Sequence, residues 1–265
     1  MSVWFEAARP RTLAAAVAPV LVGTAAADRL VAWRAGAALL VSIAIQIGVN
    51  YANDYFDGVR GVDTHERAGP RRAVASGLVA PTEMRTAMLL AFGVAGITGF
   101  VLALAVGWEL LVIGGLCFLA ALGYSGGPRP YASAGLGELF VFVFFGLVAT
   151  AGSTYVQDER LTVLAVLAAI PVGLLATAIL VANNLRDLGT DRATGKLTLP
   201  VRIGAARSRT LYWVLVLGAF PWLVLVAGRT DSPWPLLPFA CLVLVPRLHR
   251  SVASDEPGAL VSVLV

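Results

Sequence analysis

Asn50, Asn53, Asp54 and Asp57 close a long stretch without charge, residues 35–53, and Asp63 follows shortly after. Gln46, Asn50, Asn53 and Asp57 are spaced by four, three and four, so one helix face carries all of them. Lipid penalises such a face, which must therefore look into a helix bundle or a wet cavity. Arg60, Arg67, Arg71 and Arg72 come directly behind. Three carboxylates beside several arginines suit Mg²⁺ holding a phosphorylated ligand: hard oxygens bind the ion, and cations meet the remaining phosphate charge. The plain alternative is a polar helix end solvated at a membrane surface.

A second constellation lies about 130 residues on: Asn183, Asn184, Arg186, Asp187 and Asp191, then Arg192 and Lys196. Asn183, Asp187 and Asp191 are four apart, again one helix face. A single DxxxD is weak evidence. Two Asn/Asp helix ends that each trail basic residues are much stronger. Facing each other across a bundle, they could hold two Mg²⁺ ions with a diphosphate between them, the metals neutralising it as a leaving group. Arg60, Arg67, Arg186, Arg192 and Lys196 could clamp its outer oxygens, or anchor to lipid headgroups instead. Arg202, Arg207 and Arg209 read as anchors.

What must position these residues is a membrane-embedded scaffold. The 265 residues are 58% hydrophobic and only 14% charged, against about a quarter charged in soluble domains. The spacing of the charges predicts a single all-α domain over 1–265, a polytopic transmembrane helical bundle. Its charge-free intervals are 12–27, 35–53, 86–108, 110–128, 139–157, 161–185, 210–228 and 232–246. A ninth run, 257–265, is too short to span and reads as the start of an incomplete helix. Cys117 and Cys241 fall inside apolar runs and read as packing residues without a disulfide.

With the N-terminus in the cytoplasm, 16 of the 20 basic residues fall on the cytoplasmic side. That asymmetry is the positive-inside pattern of a multi-pass protein of the cell membrane, and it accounts for the basic balance without nucleic acid. Two long cytoplasmic loops, 57–82 and 187–208, each follow an Asn/Asp helix end and carry glycines, a proline and arginines. They look like products of an internal duplication and are the natural places for function.

NDYFDGVRGVDTHERAGPRRAVASG, LGYSGGPRPYASAGLGELFVFVFFGLVATAGSTYVQ and NNLRDLGTDRATGKLTLPVRIG resemble the aspartate-rich segments of the UbiA superfamily of intramembrane prenyltransferases. The resemblance spans nearly the whole chain and is closest to the MenA branch, the 1,4-dihydroxy-2-naphthoate polyprenyltransferases of menaquinone synthesis. Five residues separate Asp57 from Asp63, where the wider superfamily usually has three; that spacing fits this branch.

The resemblance implies nine helices around a central cavity that is continuous with membrane lipid. The donor would be a polyprenyl diphosphate and the acceptor 1,4-dihydroxy-2-naphthoate, which loses CO₂. Asn53, Asp57, Asp187 and Asp191 would be the main Mg²⁺ ligands, with Asp54 and Asp63 in support and Asn50 and Asn184 nearby on the substrate. An ionised allylic diphosphate leaves a carbocation, which ring faces can stabilise: Tyr124 is the first candidate, while Tyr51, Phe56, Phe142 and Phe145 read first as packing or interface anchors and only second as cation-stabilising rings. Glu138 either balances a helix N-terminus or meets the acceptor. Arg129 is a candidate for the acceptor carboxylate and His65 for a base. Another aromatic acceptor is the alternative within the superfamily. From other classes, a secondary transporter for an anionic solute places its acids at the bilayer midplane, and a CDP-alcohol phosphotransferase expects one compact acidic signature.

Overall fold

The computed structural model describes residues 2–61, 72–254, 256 and 259–260. Every regular element among them is helical: α1 (Val3–Ala7), α2 (Ala14–Ala25), α3 (Ala32–Val59), α4 (Pro81–Val106), α5 (Glu109–Ser125), α6 (Gly137–Asp158), α7 (Val163–Arg186), α8 (Leu188–Ala193), α9 (Leu199–Thr230) and α10 (Trp234–Ala253). Six of these, α3, α4, α6, α7, α9 and α10, are long and apolar enough to cross a membrane, while α2 and α5 are shorter apolar helices. Together they are the eight intervals that the charge spacing predicts, and the chain is a multi-pass membrane protein. The ninth run falls almost wholly outside the described residues.

Local chemistry sets the boundaries. Pro81 opens α4, where a missing N–H costs nothing. Glu83 turns back to accept the Ala80 N–H at 3.0 Å. Thr162 caps α7 by accepting from the Ala165 N–H at 3.0 Å. Gly204 takes φ 82°, which breaks α9 near its start. At about 1.5 Å per residue, α3 is longer than the roughly 30 Å hydrocarbon core. Its last turns, with Asn53 and Asp57, therefore reach one membrane face.

Packing beside the site depends on small residues. α6 and α7 cross where Gly146 meets Gly173, and a Cβ added to Gly146 would stand 2.6 Å from the Gly173 Cα. The Thr154 hydroxyl donates to the Gly23 carbonyl at 2.7 Å and ties α6 to α2. Such close backbone approach is how helices associate where no hydrophobic force separates them from lipid. Gly146→Val should push α6 from α7 and cost about 1–3 kcal/mol by overpacking. Thermal unfolding in detergent reads this as a lowered Tm; an unchanged Tm would mean the crossing can relax. Cys117 and Cys241 are free, but Cys241 is exposed on α10 rather than buried in the core.

At the membrane face away from Asp57, the connections interlock. The Asp28 N–H donates to the Asp158 carboxylate at 3.0 Å, and Arg160 pairs with Asp28. Arg29 donates to the Gln157 carbonyl at 2.7 Å and to Glu159 at 2.9 Å. Arg34 reaches Glu159 at 2.8 Å and the Ala105 carbonyl at 3.0 Å. The Arg34 hydrogen bond, with Arg29 in support, holds the Glu159 carboxyl below the usual carboxylate range. Three of the four basic residues on this side are thus neutralised by local acids.

Candidate active site

On α3, Gln46, Asn50, Asn53 and Asp57 are all buried, as their shared face requires. Asp54 points elsewhere. Its carboxylate accepts the Ala73 and Val74 N–H groups, both at 2.9 Å, and it is 1% exposed. It clamps the turn that brings the chain back toward α4, a task that occupies both of its oxygens. Asp63, His65 and Arg67 lie outside the described residues.

The second motif is not one unbroken helix. α7 ends at Arg186, Asp187 caps it, and α8 starts afresh. The face still survives, because the Asp187 N–H donates to the Asn183 carbonyl at 3.1 Å and the Asp191 N–H to the Asp187 carbonyl at 2.8 Å. Arg186 forks onto Asp187 with two bonds of 2.8 Å and donates to Asn183 at 3.0 Å. Arg186 and Asp187 are both buried, so the arginine fixes the acid in place. Asn184 donates to Glu138 at 2.9 Å, which joins the start of α6 to the end of α7.

The two motifs meet through Lys196. The loop after α8 folds back, with the Lys196 N–H on the Asp191 carbonyl at 2.8 Å. The Lys196 ammonium then reaches Asp57 Oδ2 at 3.3 Å. Arg72 approaches the same oxygen at 3.9 Å. Thr198 donates to Asp191 Oδ2 at 3.3 Å. The Ser125 hydroxyl donates to Asn53 Oδ1. Tyr124, in the last turn of α5, lies within electrostatic reach of Glu138, Arg9, Asp57 and Asp191. Motif residues 130 apart in sequence therefore share one end of the bundle.

Arg60 has a different task from the expected phosphate clamp. Its guanidinium donates to the Ser125 carbonyl at 2.6 Å and to the Gly127 carbonyl, and it lies over the Phe56 ring. It thereby holds the turn after α5. Arg129 and Arg192 are exposed beside the site.

Next to the cluster a cavity of about 540 Å³ runs between α2 and α7. Arg9, Thr12, Gln46, Asn50, Asn53, Tyr124 and Asn183 line its polar end, while Phe100, Leu111, Phe145 and Val148 are among its apolar lining. Phe100, Leu111 and Ile113, on α4 and α5, line the cavity and are exposed, so it is open along this apolar flank of the helix wall. Tyr131 stacks on Phe140 at 4.0 Å and meets Tyr124 edge-on at 5.5 Å. Burial pushes the Tyr131 phenol up, so it stays a donor, here to the Ala120 carbonyl at 2.8 Å.

Of the expected aromatic residues, Tyr124 and Phe145 line the cavity. Tyr51 instead packs on Trp4, Phe56 on Tyr55, and Phe142 faces Gly173. Tyr131, Phe140 and Phe144 take the places expected of them. Residues 142–151 form a π-helix, and that change of helical phase is not encoded in a residue type. Ser125, Thr198 and Arg9 also escaped the reading of motifs. Arg9 stands in an Arg-Pro-Arg run before the first apolar stretch, the one signal that could have marked it.

Among the described residues no three His, Cys, Asp or Glu side chains form a ready metal cage. The donors at hand are oxygens: Asn53, Asp57, Asp187 and Asp191. Mg²⁺ is commonly held by one or two carboxylates plus substrate phosphates and waters, so an incomplete oxygen set beside cations fits a metal that arrives with a phosphorylated ligand.

Residues 16–263 match the UbiA prenyltransferase family. The chain is 44% identical to the 1,4-dihydroxy-2-naphthoate octaprenyltransferase of Mycobacterium tuberculosis, over 96% of this chain and 87% of that protein. It is 40% identical to the Escherichia coli protein of the same name, over 84% and 75%. In fold it resembles the solved structure of a UbiA homolog from Archaeoglobus fulgidus bound to GPP and Mg²⁺, with a TM-score of 0.69 at 16% identity, covering 99% of this chain and 94% of that one. Two Asn/Asp helix ends meeting over an apolar cavity, and similarity along almost the whole length, lead to one assignment: the chain belongs to the UbiA prenyltransferase family.

Proposed function

We propose that this protein is a 1,4-dihydroxy-2-naphthoate polyprenyltransferase. It transfers a polyprenyl group from polyprenyl diphosphate to the naphthoate ring, releasing CO₂ and diphosphate and giving demethylmenaquinol for menaquinone synthesis. The observation that carries this reading is the Lys196–Asp57 contact at 3.3 Å, which closes both motifs around one end of the cavity. The relatives named for this reaction support the choice of acceptor.

Asn53, Asp57, Asp187 and Asp191 would hold the Mg²⁺ that accompanies the diphosphate, two ions on this reading. When bound, the metal supplies Lewis acidity that neutralises the leaving group. Lys196 and Arg72, already turned toward Asp57, can share their charge with the diphosphate oxygens as they arrive. Arg186 and Ser125 keep Asp187 and Asn53 in register. The apolar walls accept the prenyl chain and exclude water from the allylic cation. Tyr124 presents its ring to that cation. Atoms and electrons balance within the substrates: the C–O bond breaks toward diphosphate, ring electrons form the new C–C bond, and the pair from the C–CO₂ bond restores the ring. The positive-inside pattern supports a cytoplasmic placement of the N-terminus and both motif loops in the cell membrane.

Membranes carrying the protein should convert polyprenyl diphosphate and dihydroxynaphthoate, in the presence of Mg²⁺, into a lipid-soluble quinol and CO₂. Chelation should stop turnover and added Mg²⁺ restore it. Faster turnover of 4-hydroxybenzoate than of dihydroxynaphthoate would move the protein to another branch of the family.

A further inference from the structure

Gln46 lies one turn below Asn50 on the functional face of α3. It lines the cavity, is 8% exposed, and its Oε1 has no hydrogen-bond partner among the described residues. A buried, unsatisfied carbonyl costs free energy and calls for an explanation. The neighbouring bonds fix its orientation. The Thr12 hydroxyl has one proton, and it goes to the Arg9 carbonyl at 2.9 Å. Towards its other neighbours Thr12 can only accept. It does so from Gln46 Nε2 and Asn50 Nδ2, both at 3.3 Å. The Gln46 amide therefore turns its NH₂ to Thr12 and keeps its carbonyl oxygen free of protein donors. Two neighbouring amide and hydroxyl groups of the lining are engaged, Ser42 with the Ala16 carbonyl at 2.8 Å and Asn50 with the Ala8 carbonyl at 2.8 Å.

We infer that Gln46 Oε1 receives a hydroxyl of the aromatic acceptor and so selects hydroquinone-type rings. This rests on the prenyl-transfer reading above and adds to it the residue that recognises the acceptor. The chemistry of the reactants leaves little choice. A prenyl tail has no donor. Diphosphate and carboxylate oxygens would repel a carbonyl. The ring hydroxyl alone carries a proton to give. Gln46 is seven residues before Asn53 on one helix, about 10 Å along the axis. That separation seats a ring below the diphosphate rather than beside it. A site that hydrogen-bonds a hydroxyl discriminates strongly against an analogue that lacks it, since its own group is then left unpaired.

The test crosses enzyme and substrate variants. Wild type and Gln46→Leu are assayed with dihydroxynaphthoate and with its two mono-methoxy analogues. Gln46→Leu should raise the acceptor KM about tenfold and leave the prenyl diphosphate KM unchanged. In wild type, one of the methoxy substitutions should carry a similar loss, and Gln46→Leu should no longer distinguish that analogue from the parent. Equal discrimination by both proteins would overturn the inference while the prenyl-transfer reading stands. No wild-type turnover of dihydroxynaphthoate would overturn both. Gln46→Met, unbranched and close in volume, carries the same comparison should the leucine variant fail to accumulate.

Discussion

Asp57→Ala should abolish prenyl transfer, with kcat lower by at least about 10³-fold. Metal-assisted charge neutralisation supplies several kcal/mol, and each 1.4 kcal/mol or so is tenfold in rate. Asp57 is where the two motifs touch, and Lys196 and Arg72 both converge on its Oδ2. Its removal takes away a proposed metal seat and the carboxylate that Lys196 and Arg72 share. Asp57→Asn separates these effects, because it keeps the shape and an oxygen while losing the charge. The measurement is quinol and CO₂ formation in membranes, normalised to inserted protein. Asp187→Ala is the matched variant in the second motif. Activity within tenfold of wild type for either variant would remove the proposed diphosphate site.

The largest expected stability effect belongs to Arg186. Its guanidinium forms a buried fork with Asp187 and reaches Asn183 as well. Arg186→Leu leaves the Asp187 carboxylate buried without its counter-charge, which should cost about 3–5 kcal/mol. The purified protein should show a large fall in Tm. Replacing both residues by leucine removes the unpaired charge along with the pair and should recover most of that loss, since apolar substitutes for buried ion pairs are often neutral. Activity should remain absent in the double variant. Recovery of stability without activity would separate the pair's part in folding from the part proposed for Asp187 in chemistry. A single variant as stable as wild type would show that solvent or a neighbouring group replaces the arginine.

The fold was legible because lipid forbids charge over whole helices, so the gaps between charges mark the spans. The face Gln46–Asn50–Asn53–Asp57 was legible for the same reason, since polar groups at helical spacing cannot all face acyl chains. Other features depend on competition that sequence does not record. Asp54 and Asp57 are the same residue type three positions apart, yet one caps backbone amides and the other meets Lys196. The choice was made by a turn at 73–74 that no helical spacing specifies. Arg60 was drawn to carbonyls exposed at the end of α5, partners invisible until that helix stops at Ser125. On the ring-bearing wall Phe140, Phe144 and Phe145 turn to the cavity, while Phe142 packs against Gly173, and nothing in their shared residue type separates the two roles.

The side opening near Phe100, Leu111 and Ile113, set against the interlocked loops at the far end, gives the reaction a direction. On the proposed reaction a long-tailed quinol would be expelled by water and slip into the bilayer through the wall, while diphosphate would depart through the charged mouth. Oil and water carry the two products off along different roads, and their chance of meeting again is slight. Such partition would discourage the back-reaction with no moving gate, and it would deliver the quinol directly to the phase in which quinones diffuse.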